Sequence, residues 1–420
     1  MKNCRPNAAH RPAGPRRIRG AEYPPIVFRE GRAAKYLRWF MKQRRRLRRH
    51  RNCPNRDLHF DQYVGWMLLY FFLPSLTSMR SMQRASELPT YREQFRLPRF
   101  SLGSFSEASS RFDPEELVPL IETLHAEAAP GPQRAFFEGL PGEPTAVDGS
   151  LFDALPRMVW ALWLDDQHRA VKLHLQFDLL RGVPREATLT DGNGNERNVL
   201  RERLTAGRLY VFDGGYADYA LHADILAAKS SFVGRLRCDA HYEVIEERPL
   251  SVAARAAGVE RDLIVKLGCA GSPELHGHQI RLVQVHLPDT TGGRPRTGRR
   301  TVSRGHRNKS NEHTLLLATD LLHLPAEVVA ELYRYRWQIE LFFRWFKKIL
   351  GTEHLVAERP KGVKLMIYCA LLASLLISVV MRSEPTRAAF ELIENYLRGS
   401  ASEEDLEDFA RKAASAKKKA

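Results

Sequence analysis

The chain has 420 residues, of which 44% are hydrophobic and 27% charged, and this balance excludes a chain that is disordered throughout. Its length predicts two to three domains with enough apolar material for a core. The formal net charge of +16 favours a polyanionic partner. Five scattered cysteines without a CxxC pair argue against a disulfide framework.

The N-terminal arm, residues 1–60, carries nearly all of the excess charge, with 18 Lys and Arg against 3 Asp and Glu. Its first 20 residues are rich in Pro, Arg and Gly, which is typical of disorder. A dense basic run follows, and such a run either binds nucleic-acid phosphates without reading sequence or is a solvated tail. The DNA-binding candidates in this run are Arg44, Arg45, Arg46, Arg48 and Arg49.

Residues 61–135 are predicted to be helical. Apolar side chains recur at helical spacing over residues 61–73, and two short helical stretches follow over residues 100–128. Asp113 before Pro114 is a good N-cap with Pro at the first helical position. This region is either a small helical DNA-binding unit or a helical brace, and the pattern alone does not choose between them.

An α/β texture begins near residue 136. Strands are predicted over residues 157–164 and 170–177, and two further strands end in the acids Asp148 and Asp213. A helix over residues 219–229 and a strand over residues 231–236 complete this first part of the core.

The remaining chain divides into three segments. Residues 237–312 show short strand signals and a loop rich in Gly, Pro, Thr and Arg, which predicts an inserted β-rich segment. Residues 313–382 return to α/β texture, and residues 383–420 are predicted as a C-terminal helix with a basic tail. The apolar run of residues 365–381 is 17 residues long, just under the roughly 20 that span a bilayer, so we expect a core helix and no membrane partner.

Residues 331–350 are predicted to form the helix that carries the chemistry. At about 100° per residue, five polar side chains fall within an arc of about 80°, while most of the remaining surface is apolar. A helix this apolar is packed within the protein, so we expect its polar stripe to face a functional site. The stripe consists of Tyr333, Arg336, Glu340, Arg344 and Lys347.

Glu340 is either a salt-bridge partner of its cationic neighbours or a ligand of a divalent metal. Mg²⁺ prefers hard oxygen ligands, so further carboxylates are needed, best placed at the carboxyl ends of strands. Asp148 and Asp213 meet that condition, and a glycine follows each of them. Two ions held by such a set would activate an attacking oxygen and stabilise a leaving one.

The spacing Tyr333-x2-Arg336-x3-Glu340-x6-Lys347 resembles the signature of bacterial insertion-sequence DDE transposases of the IS-four family. Residues 213–216, Asp-Gly-Gly-Tyr, resemble the second-aspartate motif of that family, and residues 147–150, Val-Asp-Gly-Ser, resemble the first. The resemblance runs from about residue 145 to residue 351. It implies an RNase H-like mixed-sheet core with a β-rich insertion before the catalytic helix.

The same resemblance implies a DNA transposase that works by cut-and-paste, through Mg²⁺-dependent phosphodiester hydrolysis and transesterification. Asp148, Asp213 and Glu340 would be catalytic and would hold two Mg²⁺ ions, with Mn²⁺ as the expected substitute. Further residues would contact DNA near the cleavage site; among them Trp337 and Tyr216 are either platforms for a flipped base or core residues. The full set is Tyr333, Arg336, Lys347, Arg344, Tyr216 and Trp337.

The implied partners are double-stranded DNA, as terminal inverted repeats and target, and a second copy of the chain in a synaptic homodimer. The implied location is the bacterial cytoplasm, in association with the nucleoid. Two other functions remain open from the sequence: a catalytically silent DNA-binding relic, and a metal-dependent DNA nuclease that acts outside transposition.

Overall fold

The fold was analysed in a computed structural model. The structure describes residues 39–43, 47, 58–73, 75–131, 133–165, 168–237, 239–268, 275, 277–286, 314–350, 357–381, 387–398 and 400–416. The basic-run candidates Arg44, Arg45, Arg46, Arg48 and Arg49 lie outside the described residues.

The N-terminal region is helical, as predicted. Tyr63 stacks on Phe105 with ring centroids 4.4 Å apart, and the Trp66 indole donates a hydrogen bond to the Pro98 carbonyl oxygen. The Asp113 carboxylate accepts a hydrogen bond from the Glu115 backbone N–H, as expected of an N-cap. The helices are α1 (Phe60–Phe72), α2 (Met79–Glu87), α3 (Pro89–Phe95), α4 (Leu102–Arg111), α5 (Val118–Glu127) and α6 (Arg134–Glu138).

In the described part of the chain, nine strands form one mixed sheet in the order β3-β2-β1-β4-β5-β9-β8-β7-β6. The β1–β4 and β4–β5 pairs are parallel, and the other pairs are antiparallel. The strands are β1 (Glu143–Ala154), β2 (Arg169–Asp178), β3 (Val183–Asp191), β4 (Arg208–Phe212), β5 (Ser231–Arg235), β6 (Tyr242–Glu247), β7 (Val259–Leu267), β8 (Ile280–His286) and β9 (Thr314–Thr319).

The predicted strand over residues 157–164 is wrong, because this segment consists of turns and bends. The strand before it is longer than predicted: β1 continues through Asp148 to Ala154 and pairs with β2 along its length. Since β2 pairs with β1 on one side and β3 on the other, it has no free edge for another strand.

The strands of the predicted β-rich segment extend the same sheet through β9. A buried ion pair joins two of them: Arg281 on β8 contacts Asp262 on β7 at 2.7 Å, and it also donates to the Leu324 carbonyl oxygen. Burial of this pair is tolerated because the guanidinium finds several acceptors at once.

The remaining helices cover the sheet and close the core. They are α7 (Glu196–Arg201), α8 (Tyr219–Ala227), α9 (Val252–Ala256), α10 (Ala326–Tyr335), α11 (Trp337–Leu350), α12 (Pro360–Met381), α13 (Arg387–Arg398) and α14 (Glu403–Ala416). Among the described residues, α12 alone is long and apolar enough to cross a membrane, and 83% of its most apolar window is buried inside the protein. It packs against α1, α4, α5, α11 and β3, which is the position of a core helix, as predicted.

The single helix predicted over residues 331–350 is divided in the structure. Helix α10 ends at Tyr335 and α11 begins at Trp337, with Arg336 between them. The hydrogen bonds from Arg336 N–H to the Tyr333 carbonyl and from Ile339 N–H to the Arg336 carbonyl join residues three apart, which is a tighter turn than in an α-helix. The break at Arg336 was not visible in the periodicity.

Candidate active site

The two aspartates lie side by side on neighbouring parallel strands. The pairing of β1 with β4 ends at Ala146 and Val211, and two further residues along each strand are Asp148 and Asp213. Asp213 directly follows β4, as predicted. Asp148 is not at a strand end, which corrects the prediction: it lies where β1 parts from β4 while its pairing with β2 continues. The parting of the strands gives the site its opening.

The backbone orients both carboxylates. The Gly149 N–H donates a hydrogen bond to Asp148 Oδ1 at 2.8 Å, and the Gly215 N–H donates to Asp213 Oδ1 at 2.9 Å. Asp213 thereby caps the short 3₁₀ turn Gly214–Tyr216. Each aspartate keeps its other oxygen for a further contact.

Arg336 connects Glu340 to this pair of aspartates. Its Nη2 donates to Glu340 Oε1 at 2.6 Å, and its Nη1 lies 4.0 Å from Asp148 Oδ2. The Arg336 side chain is 11% exposed, against 29% for Glu340 and 22% for Asp148. A buried guanidinium thus bridges a carboxylate of α11 and one of β1. Glu340 is a salt-bridge partner in this state, which was one of the two interpretations left open.

The carboxylates crowd one another. Burial raises the pKa of Asp148 to about 7, and the negative charges of Asp213 and Glu196 add to that rise. The Gly149 N–H and the Arg336 guanidinium act in the opposite direction without offsetting it. Unfavourable like charges held together in a partly buried place favour binding of a cation.

Glu196 is a carboxylate of this site that the sequence interpretation missed. It lies in the first turn of α7. Its Oε1 lies 2.6 Å from the position that a Cβ at Gly149 would take, and its Oε2 lies 3.7 Å from that of Gly215. The sequence signal for such a residue was the glycine after each aspartate, because a residue without a side chain leaves room for another carboxylate.

Two further predicted residues, Tyr333 and Lys347, lie on α10 and α11. Tyr333 is buried on α10, and the Arg336 guanidinium carbon stands 5.6 Å from its ring centroid. Lys347 is half-buried with its Nζ 5.3 Å from the Phe152 ring centroid, and burial lowers its pKa.

The other residues predicted to contact DNA differ in their solvent exposure. Trp337 is 48% exposed at the start of α11, and Arg344 is exposed one turn beyond Glu340. Tyr216 is 1% exposed and packs against Phe212, which is the position of a core residue, the second of the two interpretations left open for it. A ring enclosed on all sides cannot stack on DNA, and the sequence could not show that enclosure.

The donor chemistry suits a hard divalent cation, since the set consists of carboxylates from three separate segments. In the described part of the chain, however, no three His, Cys, Asp or Glu side chains are close enough to hold one ion as they stand. In this arrangement the third carboxylate, Glu340, is engaged by Arg336. The residues fit a metal once Glu340 exchanges its bond to Arg336 for the ion.

Comparison with known proteins shows which family this chain resembles. Residues 141–376 match the family described as "Transposase DDE domain". A protein of Synechocystis, named as a transposase for insertion sequence element IS4SA, is 33% identical over 311 residues, which cover 73% of this chain and 78% of that protein. The protein y4zB of Sinorhizobium fredii, also named as a transposase, is 30% identical over 216 residues, which cover 51% of this chain and 54% of that relative. This chain therefore spans about half the length of y4zB.

Among solved structures, the piggyBac transposase in its synaptic complex with hairpin DNA aligns with 91% of this chain and 82% of its own, at 13% identity and a TM-score of 0.40. The family match covers more than half of the chain and contains Asp148, Asp213 and Glu340. The chain belongs to the DDE transposases and is related to those of IS-four insertion sequences.

Proposed function

We propose that this transposase catalyses metal-dependent cleavage at the ends of an insertion sequence and transfer of the cut strands into target DNA, by cut-and-paste. The observation that carries the proposal is the Arg336 bridge, which joins Glu340 of α11 to Asp148 of β1 beside Asp213. Carboxylates from three distant segments gather here around one buried cation.

The sheet supports an RNase H-like core. In the described residues the order β3-β2-β1-β4-β5 combines an antiparallel three-stranded unit with two parallel strands. Asp148 lies on β1 and Asp213 directly follows β4, and these two strands pair where the antiparallel and parallel parts meet. Such a placement puts both carboxylates at one opening of a rigid sheet, where a site gains precision.

In this proposal Asp148, Asp213 and Glu340 hold two Mg²⁺ ions, with Mn²⁺ as a substitute. The chemistry that such ions supply when bound is activation of an attacking oxygen and stabilisation of the leaving one. Arg336 turns from Glu340 to a DNA phosphate, because a guanidinium pairs with a phosphate as readily as with a carboxylate. Glu340 is then free to act as a ligand.

Three further side chains contact DNA around this centre. Lys347 and Arg344 follow Glu340 along α11 and pair with phosphates, and Tyr333 supports Arg336 from below. Trp337 offers an exposed ring at the mouth of the site, where a flipped base can stack.

The proposed partners are the terminal inverted repeats of the element and target DNA, both double-stranded. Two ends must be held together for strand transfer, so we propose a homodimer in the synaptic complex. The basic arm of residues 1–60 adds phosphate contacts. The proposed location is the bacterial cytoplasm, on the nucleoid.

The test is strand cleavage of a plasmid that carries the native flanks of the gene, with Mg²⁺, by wild-type protein and Glu340→Gln. We expect the variant to lose cleavage by a factor of about 10³ or more while DNA binding is retained. Glu331→Gln is the matched control, because Glu331 pairs only with the exposed Arg334 among its described contacts. Equal cleavage by Glu340→Gln would remove Glu340 from the site.

Two other results would favour other functions. Binding of the ends without cleavage by wild-type protein in Mg²⁺ or Mn²⁺ would indicate a silent DNA-binding relic. Cleavage without preference for the ends would indicate a general nuclease.

A further inference from the structure

The Glu196 carboxylate lies close to the residues that follow both Asp148 and Asp213. A Cβ on Gly149 would come within 2.6 Å of its Oε1, and a Cβ on Gly215 within 3.7 Å of its Oε2. The two carboxylate oxygens therefore reach toward the residues that immediately follow Asp148 and Asp213. The space that a side chain would fill at Gly149 is filled by the Glu196 carboxylate instead.

The Glu196 carboxylate is held in place from the next strand. Lys172 on β2 lies with its Nζ 3.4 Å from Glu196 Oε1 and also donates to the Gly194 carbonyl oxygen at 3.0 Å. The side chain of Asn195 caps the first turn of α7, accepting from the N–H groups of Arg197 and Asn198. A short helix anchored in this way presents Glu196 in a fixed direction.

A second polar feature lies behind Glu196. A cavity of about 20 Å³, roughly the room of one water molecule, is lined by Glu196, Tyr216 and His174 among others. His174 is 6% exposed, its Nε2 bonds Thr190, and its Nδ1 has no hydrogen-bond partner among the described residues. A buried ring nitrogen without a partner is costly in an apolar interior, and this nitrogen belongs to a residue that lines the same cavity as Glu196.

The charges of the cluster do not balance. The cluster holds four carboxyl groups, and the cations that contact them in the described part of the chain are Lys172 and Arg336. Partly buried charges are stable only when they are paired or coordinate a metal. Carboxyl groups therefore outnumber the cations that contact them here, which favours a cation between Asp148 and Asp213.

We propose that Glu196 is a positioning residue for a divalent cation held by Asp148 and Asp213, an inference that rests on the proposed function. Mg²⁺ keeps several of its waters when it binds a protein. The Glu196 carboxylate accepts hydrogen bonds from those waters and so orients the ion between the two strands. Lys172 holds the carboxylate in place and does not contact the ion.

The test measures metal binding and needs neither DNA nor turnover. Mn²⁺ is titrated into the folded protein and followed by electron paramagnetic resonance and calorimetry. We expect Glu196→Gln to raise the Mn²⁺ dissociation constant by about 10- to 100-fold, as loss of outer-shell partners does in metal sites. The melting temperature of the metal-free variant should stay close to that of wild type, since Gln keeps the shape of the side chain.

The matched control is Glu202→Gln, at the exposed C-terminal end of the same helix, which should leave the Mn²⁺ dissociation constant unchanged. Asp148→Asn distinguishes failure of the metal site from failure of the role proposed for Glu196. If Asp148→Asn abolishes Mn²⁺ binding and Glu196→Gln does not weaken it, the inference about Glu196 is overturned and the metal site stands. If Asp148→Asn binds Mn²⁺ like wild type, the metal site and the role of Glu196 both fall.

Gly149→Ala gives an independent route to the same answer. The new methyl group displaces the Glu196 carboxylate, which is the free end of a flexible side chain, so the fold tolerates the change. We expect Gly149→Ala to weaken Mn²⁺ binding as Glu196→Gln does, and to add nothing in a Glu196→Ala background. An equal weakening in that background would show that the glycine acts without Glu196 and would overturn the inference.

Discussion

At the scale of the residue, Arg336 has two competing roles. It pairs with Glu340 and Asp148 in this structure, and in the proposed function it competes with a metal ion for Glu340. Removal of the guanidinium should therefore lower the stability of the metal-free protein and strengthen metal binding. A stability measurement and a metal titration on one variant therefore distinguish them.

Arg336→Met should lower the free energy of unfolding of the metal-free protein by about 1–3 kcal/mol, because partly buried carboxylates lose their cation. The same variant should bind Mn²⁺ more tightly than wild type, and Mn²⁺ should restore its melting temperature. Arg334→Met removes an exposed pair on α10 and should change neither quantity. Weaker Mn²⁺ binding by Arg336→Met would contradict the competition between the guanidinium and the ion.

His222 predicts acid sensitivity of the fold. Its ring is stacked between Phe212 and Phe232, with centroid distances of 5.5 and 4.5 Å, and neither ring nitrogen has a hydrogen-bond partner among the described residues. Burial lowers its pKa to about 4, although the nearby Asp218 acts in the opposite direction. Below about pH 6.5, His222 therefore becomes protonated in the unfolded chain while it stays neutral in the folded protein.

The free energy of unfolding should fall by about 2 kcal/mol from this group between pH 7 and pH 5. His222→Phe should remove that part of the pH dependence without loss of a hydrogen bond. His168→Phe, at an exposed histidine, serves as the control in urea titrations at both pH values. If the free energy of unfolding of His222→Phe falls between pH 7 and pH 5 as much as that of wild type, the prediction is wrong.

At the scale of the element, the approach of β4 to β5 sets the position of Asp213. Phe212 pairs with Gly234 across the two strands, and a Cβ at Gly234 would overlap the Phe212 ring. Gly234→Ala should destabilise the fold by about 1–3 kcal/mol and weaken Mn²⁺ binding, because Phe212 cannot move without its neighbour Asp213.

The control for this change is another glycine with the opposite expectation. A Cβ at Gly103 in α4 meets only Ser101 Oγ at 3.8 Å, so Gly103→Ala should stabilise the protein by up to about 1 kcal/mol. Calorimetry on both variants and a Mn²⁺ titration test the pair. Normal Mn²⁺ binding by Gly234→Ala would show that the strand contact does not position the carboxylate.

At the scale of the whole molecule, α12 joins the helical N-terminal region to the catalytic sheet. It packs on α1, α4 and α5 on one side and on β3 and α11 on the other. Leu375→Ala, at a fully buried position of α12, should cost about 2–5 kcal/mol and destabilise both parts together.

Hydrogen exchange of α1 and β1 measures this coupling, and Val252→Ala, at an exposed position, is the control. Loss of protection in α1 with unchanged protection in β1 would mean that the two parts unfold independently. We expect a single transition, since one buried helix belongs to both cores.

Local pattern was sufficient for elements whose signals lie within a few residues. The Asp113-Pro114 cap, the helix now seen as α1 and the strand that ends before Asp213 were all predicted correctly, because caps, helical period and strand ends are short-range properties. The spacing of Arg336, Glu340 and Lys347 was also sufficient to indicate the family, since those residues lie on one continuous segment.

The sequence by itself therefore determined the family, the mixed α/β class and the three acidic candidates. Only the tertiary structure decided that Asp148 lies inside a long strand, that Tyr216 is enclosed in the core, and that Glu196 stands over Gly149. Each of these depends on which strand pairs with which and on what packs above it, and those partners lie tens of residues apart in the chain. Contacts of that kind leave no periodicity in a single sequence, so they become visible only when the chain is folded.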